Sequence, residues 1–208
     1  MKTMTEKNST TVHAEGVEGA ENYTPEILVR RSTYEDIPAI MEVVQQAKTQ
    51  LKADGSSQWQ NGYPNKYTFI ADIDAESSYV LTVDGVVAGT AMISYGEEAG
   101  YSDLREGQWA YPVEEYGPYA VIHRVAVSAQ HRGRKVVDKL FKELLRTMAD
   151  EGITIVRIDT HRKNLRMQKV LSRIGFEYAG VITLDHDPED PTRLSYEGII
   201  QNLLGLLV

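Results

Sequence analysis

The residues with the clearest chemical potential run from 121 to 135: Val121-Ile-His-Arg-Val-Ala-Val127, then Ser128-Ala-Gln130-His131-Arg132-Gly133-Arg134-Lys135. An apolar run gives way to hydrogen-bond donors and a glycine, and a helical stripe follows at Val136, Val137, Leu140, Phe141, Leu144, Leu145 and Met148. A glycine at a strand-to-helix turn lets the backbone approach a ligand, while the helix start presents unpaired N–H groups and the positive end of its dipole. Such a turn suits a pyrophosphate. Residues 131–146 add Arg132, Arg134, Lys135, Lys139, Lys142 and Arg146 against Asp138 and Glu143, a local +4 in a chain of formal charge -8. A basic helix face alone is ordinary solvated surface; glycine, turn and charge together mark an anion site.

Histidines at 13, 123, 131, 161 and 186 are the other chemically active side chains. They are dispersed, without a His-Glu-x-x-His pairing, so no metal site is expected. Strand alternation puts His123 on one face with Val121 and Val125. There it is either a proton acceptor or a hydrogen-bonded core histidine. The chain has no cysteine, which removes disulfides, thiolate metal sites and a covalent cysteine intermediate. There is no Gly-x-Gly pair, Walker A pattern or Gly-x-Ser-x-Gly elbow, so dinucleotide, P-loop and hydrolase chemistry lose ground.

The elements that must position these residues belong to a chain of 208 residues, 42% hydrophobic and 25% charged, the make-up of one globular domain. Its acidic balance argues against a nucleic-acid partner, which would need basic surface. No apolar run is fit for a signal peptide or a membrane span. The expectation is a soluble, cytoplasmic protein without a membrane partner.

Residues 1–26 read as a polar tail of net charge -3, too poor in apolar residues to order. A strand at 27–31 precedes Thr33-Tyr-Glu-Asp36, a capping-box pattern, and a helix with Ile37, Ile40, Met41, Val44, Ala47 and Leu51 on one face, ending near Gly55. A loop at 56–66 carries Trp59 and Tyr63, and 67–74 form a short helix. Strands at 78–83 and 86–95 are joined by Asp84-Gly85, a strong hairpin signal. A long loop at 96–117 leads to a strand at 119–127 and the helix after Lys135; a strand at 153–159, a helix at 164–174 and strands at 176–184 and 193–199 complete the pattern. The order β-α-α-β-β-β-α-β-α-β-β predicts a single-domain α/β fold with a mixed sheet of about seven strands.

At this point the sequence resembles the GNAT N-acetyltransferase superfamily. Gln130-x-x-Gly133-x-Lys135 resembles, in all but its last position, the family's acetyl-CoA signature, Gln/Arg-x-x-Gly-x-Gly/Ala, and Asp159-Thr-His161-Arg-x-Asn164 with Met167-x-x-x-Leu171-x-x-x-Gly175-Phe176 resembles its fifth strand, asparagine turn and closing helix. The likeness spans residues 27–199. It implies acetyl-CoA as cosubstrate and acetyl transfer to a primary amine of a small molecule or peptide by direct attack in a ternary complex. The fourth and fifth strands would splay apart. Val125, Ala126 and Val127 would pair with the pantetheine arm, residues 130–136 (Gln130, His131, Arg132, Gly133, Arg134, Lys135 and Val136) would hold the pyrophosphate, and Asn164 would bond the arm from the other side. The Val125 N–H would polarise the thioester carbonyl.

His123, near the family's fourth-strand base position, is the first candidate to take the amine proton; His161, beside the splay, would relay water, and His186 is a weaker candidate. The fold implies an acceptor pocket walled by Trp59 and Tyr63, by the run from Tyr101 through Trp109 to Tyr119, and by the acidic loop 185–190, suited to a cationic amine. Lys135 stands where the family has Gly or Ala, and Leu171 where many members have an acidic tyrosine. These two departures fit a second function class, a catalytically weak CoA-binding sensor or interaction module. The apolar residues 199–208, read as a C-terminal tail beyond the domain, either make a homodimer contact or fold back on their own domain.

Overall fold

The computed structural model describes residues 23–133, 136–184 and 190–207. Most of residues 1–26 and the end of the chain, Val208, therefore lie outside the described residues. The first strand, β1 (Ile27–Arg31), leads through a 3-10 turn at Tyr34–Asp36 into helix α1 (Ile37–Ala53). The capping residues work as their pattern implies: the Asp36 carboxylate accepts from the Thr33 N–H at 2.8 Å, and also holds both terminal nitrogens of Arg30 at 2.7 and 2.9 Å. Pro38 sits in the first turn of α1, where its missing N–H has no intrahelical partner to lose. Helix α2 (Lys66–Asp74) is capped by the Asn65 side chain.

Strands β2 (Ser78–Val83) and β3 (Val86–Tyr95) form the expected hairpin. Asp84 and Gly85 both have positive φ, 52° and 79°, the backbone of a type I′ turn. The segment read as one long loop contains two single-turn helices, α3 (Ala99–Ser102) and α4 (Val113–Tyr116). Four residues are too few for a hydrophobic period to register in sequence. Then follow β4 (Tyr119–Val127), α5 (Val136–Asp150), β5 (Ile155–Thr160), α6 (Leu165–Ile174), β6 (Glu177–Thr183), β7 (Thr192–Ile199) and α7 (Ile200–Leu206).

The seven strands form one sheet in the order β1-β2-β3-β4-β5-β7-β6, antiparallel except for the β4/β5 pair, which the α5 crossover makes parallel. The main core packs Leu140, Phe141, Leu144, Leu145 and Met148 of α5 on Ala120, Ile122, Val156 and Ile158 of the central strands. On the opposite face, Ile40, Val44 and Phe69 of α1 and α2 cover Val80, while Tyr101 and neighbours cover Val121 and Ile155.

The apolar C-terminal run does not trail away: Ile200 and Leu203 are buried in the main core. Leu203 lies over Gly198, where an added Cβ would come within 2.9 Å of it, and Leu206 lies over Gly175. Of the two roles open from sequence, folding back on the domain is the one these contacts serve. No helix among the described residues is long and apolar enough to cross a membrane.

Candidate active site

Strands β4 and β5 are paired only from Tyr119↔Ile155 to Ile122↔Ile158. Beyond that point β4 stays on β3 as far as Val127, and β5 stays on β7 as far as Thr160. The strands fork. A cleft of about 870 Å³ opens at the fork, lined by residues 123–127 of β4 and by Asp159 and Thr160 of β5.

The bend in β4 has a local cause. Its register against β3 steps from Thr90↔Ala126 to Met92↔His123, so Arg124 and Val125 together stand opposite Ala91. Arg124 takes a φ of +54° to accommodate the extra residue. Such a bulge bends and twists its strand. It also resets alternation. Val121 belongs to the face covered by Tyr101, and His123, edge-on to the Tyr101 ring, follows it there; Val125 and Val127 pack on the α5 side. The expectation that His123 shares a face with both Val121 and Val125 is therefore corrected: it holds for Val121 only, because the bulge intervenes.

At one end of the cleft the turn before α5 is tied to α1. The Ala129 N–H donates to Gln46 Oε1 at 2.7 Å, Arg132 donates to Gln50 Oε1 at 3.1 Å, and Ser128 Oγ bonds His131 Nδ1 at 2.8 Å. Gly133 has φ +76°, and a Cβ placed on it would meet nothing within 4 Å. The backbone there needs glycine for its conformation, and the space beside it is open. Val125, Ala126, Val127, His131, Arg132, Gly133, Val136 and Asn164 all line the cleft. Gln130 is exposed and does not line it; Arg134 and Lys135 lie outside the described residues. Asn164 caps α6, accepting from the Met167 N–H at 3.2 Å and donating to Gln58 at 3.4 Å. An unpaired strand edge can take an amide-bearing arm as an added strand, and the glycine turn leaves room for phosphate. The residues present fit the chemistry of CoA.

The other end is built around α3. His123 Nε2 bonds Glu98 Oε1 at 2.8 Å. Burial works against the Glu98 charge, but the hydrogen bond and charge of His123, with Ser94 and Arg124 nearby, outweigh it and hold the carboxyl below its usual range. An ionised Glu98 makes Nε2 the donor and leaves the Nδ1 lone pair available; Nδ1 has no hydrogen-bond partner among the described residues. One turn along, the fully buried Tyr101 donates its hydroxyl to Asp159 Oδ1 at 2.8 Å. Burial, with the Asp159 charge, pushes that phenol well above its ordinary value. Arg124 pairs with the buried Asp72 at 3.2 Å and lies 5.6 Å from the Tyr63 ring centre.

Trp59 and Tyr63 line the cleft, as expected. Trp109 and Tyr119 do not, and their expected place in the acceptor pocket is corrected. They sandwich the Arg157 guanidinium, 3.9 and 4.1 Å from their ring centres, and Arg157 in turn faces buried Glu197 at 3.6 Å. Both also brace α3: Trp109 Nε1 donates to the Tyr101 carbonyl, and the Tyr119 hydroxyl accepts from the Glu98 N–H. His161 is likewise corrected. It is fully buried and absent from the cleft wall; Nδ1 accepts from the Lys163 N–H at 3.1 Å, so Nε2 carries the proton and donates to Asp190 at 2.9 Å. With both nitrogens engaged it fastens the start of β7 to the turn before α6 and has no lone pair to offer. His186 and the rest of residues 185–189 lie outside the described residues.

Sequence reasoning missed Glu98, Arg124 and Asp72, gave Asp159 no role, and placed Tyr101 only in the wall of the acceptor pocket. Glu98 and Tyr101 stood in a segment without periodicity. Arg124 signalled nothing, since a bulge usually advertises itself by glycine. Among the described residues no group of carboxylates and histidines is arranged to hold a metal.

The fold has relatives among known proteins. The model of the acetyltransferase (GNAT) family matches residues 41–176. A GNAT-family acetyltransferase structure from Streptococcus agalactiae is 32% identical, with TM-score 0.73, over 83% of this chain and 95% of that one. More distant structures share the fold: an N-acetyltransferase from Thermoplasma acidophilum, in complex with coenzyme A, has 17% identity and TM-score 0.61 over 84% and 99% of the two chains. The ribosomal-protein-S18-alanine N-acetyltransferase of Escherichia coli has 14% identity and TM-score 0.57 over 84% and 94%. No curated protein matches the chain.

Proposed function

Since the chain belongs to the GNAT acetyltransferase family, we propose that it acetylates a primary amine, on a small molecule or peptide, by direct attack in a ternary complex with acetyl-CoA. The observation that carries this reading is the His123–Glu98 pair at the fork, at the opposite end of the cleft from the Gly133 turn. Acetyl-CoA, when bound, supplies an activated acetyl thioester. The open edge of β4 at Val125, Ala126 and Val127 orients the arm, and the turn lined by His131, Arg132, Gly133 and Val136 holds the phosphates. The Val125 N–H is the donor for the thioester carbonyl oxygen.

His123 moves the proton. An alkylamine is mostly ammonium at neutral pH, with a pKa of about 10.4. Nδ1 takes one proton from the ammonium, freeing the nitrogen lone pair to attack; Glu98, holding Nε2–H, stabilises the resulting imidazolium, and the second N–H proton, acidic once the N–C bond has formed, passes to the sulfur after it departs. The C–S electron pair leaves on sulfur. Leu171 is fully buried in the core and offers no proton, but a thiol of pKa about 8.5 departs readily as thiolate. That same leucine favours the second reading, a CoA-binding module of weak activity.

A thiol-release assay with acetyl-CoA and a panel of amines separates the two readings: turnover supports the enzyme, and CoA binding without turnover supports the module. The cofactor end is tested by melting. Acetyl-CoA should raise the Tm of the wild type, because it binds the folded state. It should leave Gly133→Val unshifted, since a β-branched residue is strained at φ +76° and fills the open space. Equal protection of the variant would place the cofactor elsewhere.

A further inference from the structure

Helix α3 is braced to both arms of the fork. From one turn of backbone, Glu98 bonds His123 on β4 and Tyr101 bonds Asp159 on β5. Val121 pairs with Arg157 one step before the end of the β4/β5 ladder. The next same-face positions, had pairing continued, are His123 and Asp159; they face the same opening across the divergence. Only one oxygen of Asp159 is used by the tyrosine. Oδ2 has no hydrogen-bond partner among the described residues, and Asp159 lines the cleft.

Among the described residues, the other charges at this end are already paired or anchored. Glu98 is spent on His123, and Asp72 and Arg124 neutralise each other at 3.2 Å. Arg193 donates to the carbonyls of Asp190 and Thr192 at 2.6 and 2.9 Å. That leaves the Asp159 carboxylate as an anion beside the proton acceptor. A phenol donor on Oδ1 keeps it oriented while its second oxygen serves a ligand.

We propose that Asp159 receives the ammonium group of the acceptor, so that the acceptor class is an alkylamine that arrives protonated. This inference rests on the acetyltransferase reading and names the substrate class of the same site. Asp159 anchors the ammonium through Oδ2, and one N–H proton passes to His123 Nδ1 as the amine becomes a nucleophile. A neutral arylamine, although nucleophilic, lacks the charge that Asp159 reads.

The test uses butylammonium as probe, titrated into the full chain saturated with CoA, where no acetyl transfer occurs. Wild type should bind it, and Asp159→Asn, which keeps an acceptor for the Tyr101 hydroxyl, should bind it at least about tenfold more weakly, the worth of a charge-assisted hydrogen bond. 1-Butanol and aniline should bind no better to wild type than to the variant. An unchanged CoA-induced Tm shift in Asp159→Asn shows that the fold and cofactor end are intact. Equal affinities in the two proteins, no butylammonium binding to the wild type, or a loss confined to Glu98→Gln would each overturn the inference. Absence of thiol release with every amine, together with Asp159-dependent butylammonium binding, would defeat the acetyltransferase reading and overturn the acceptor role, leaving Asp159 as an ammonium-binding residue only.

Discussion

His123 owes its chemistry to its neighbours. Held by Glu98 at Nε2 and by the Tyr101 ring edge, 6.4 Å between centroids, the imidazole has a defined tautomer and little freedom to turn. His123→Ala should lower turnover by roughly 10²–10⁴, the usual cost of a lost general base, with CoA affinity nearly unchanged. Because a base acts only when unprotonated, the wild-type rate should rise with pH along a limb that the variant lacks. Steady-state kinetics across pH read both effects; an unchanged profile in the variant would reject the assignment. The comparison with His161 is instructive. The two histidines look alike in sequence, one within a central strand and one just past another, yet Nδ1 of the first has no hydrogen-bond partner among the described residues while the second spends both nitrogens on Lys163 and Asp190. Hydrogen-bond partners distant in the chain decide that difference, so no local pattern reveals it. The aromatic residues divide for the same reason: Trp59 and Tyr63 reach the cleft, whereas Trp109 and Tyr119 enclose Arg157.

Among the elements, those with strong local signals were legible: the Asp84-Gly85 hairpin, the apolar stripe of α5 and the capped start of α1. The cap also makes a pH prediction. Asp36 is held below the ordinary carboxylate value by the hydrogen bonds from Arg30, against an opposing effect of burial. Its folded form thus ionises at lower pH than its unfolded form. The pair's stabilisation is present above about pH 3.9, the unfolded value, and is lost as pH falls through the folded one. Asp36→Asn should therefore lower the urea midpoint at pH 7, and the gap from wild type should narrow toward pH 3. A gap independent of pH would mean that the charge contributes nothing. Helix α7, by contrast, was hidden, because seven residues give barely two turns of pattern. Leu203 is 1% exposed and packs over Gly198. Leu203→Ala should cost about 2–5 kcal/mol in urea unfolding, the usual range for a core leucine; a cost near zero would show that α7 is dispensable.

At the scale of the whole molecule, a chain of charge -8 gathers cations before and along α5. Several are already matched: Lys139 and Arg146 with Glu143, and Arg173 of α6 with Asp138. The field available to a polyanion is thus concentrated at the turn. Raising salt from about 0.01 to 0.1 M shortens the screening length from about 30 to 10 Å, and should weaken CoA binding in calorimetric titration. Salt-independent affinity would exclude an electrostatic contribution from this end. The order of elements and the sheet class followed from alternation and turn chemistry, but the site depends on a feature that alternation misreads. Nothing in His-Arg-Val announces a surplus residue, and only the pairing of β4 with β3 reveals it. That surplus makes β4 sensitive to arithmetic. Loss or gain of one residue between Tyr119 and His123 would present the neighbouring side chain, and not the imidazole, to Glu98, while a change of two would restore its side of the sheet at a shifted height. Drift in this strand is therefore confined to substitution, and length variation among its relatives should fall in the flanking loops.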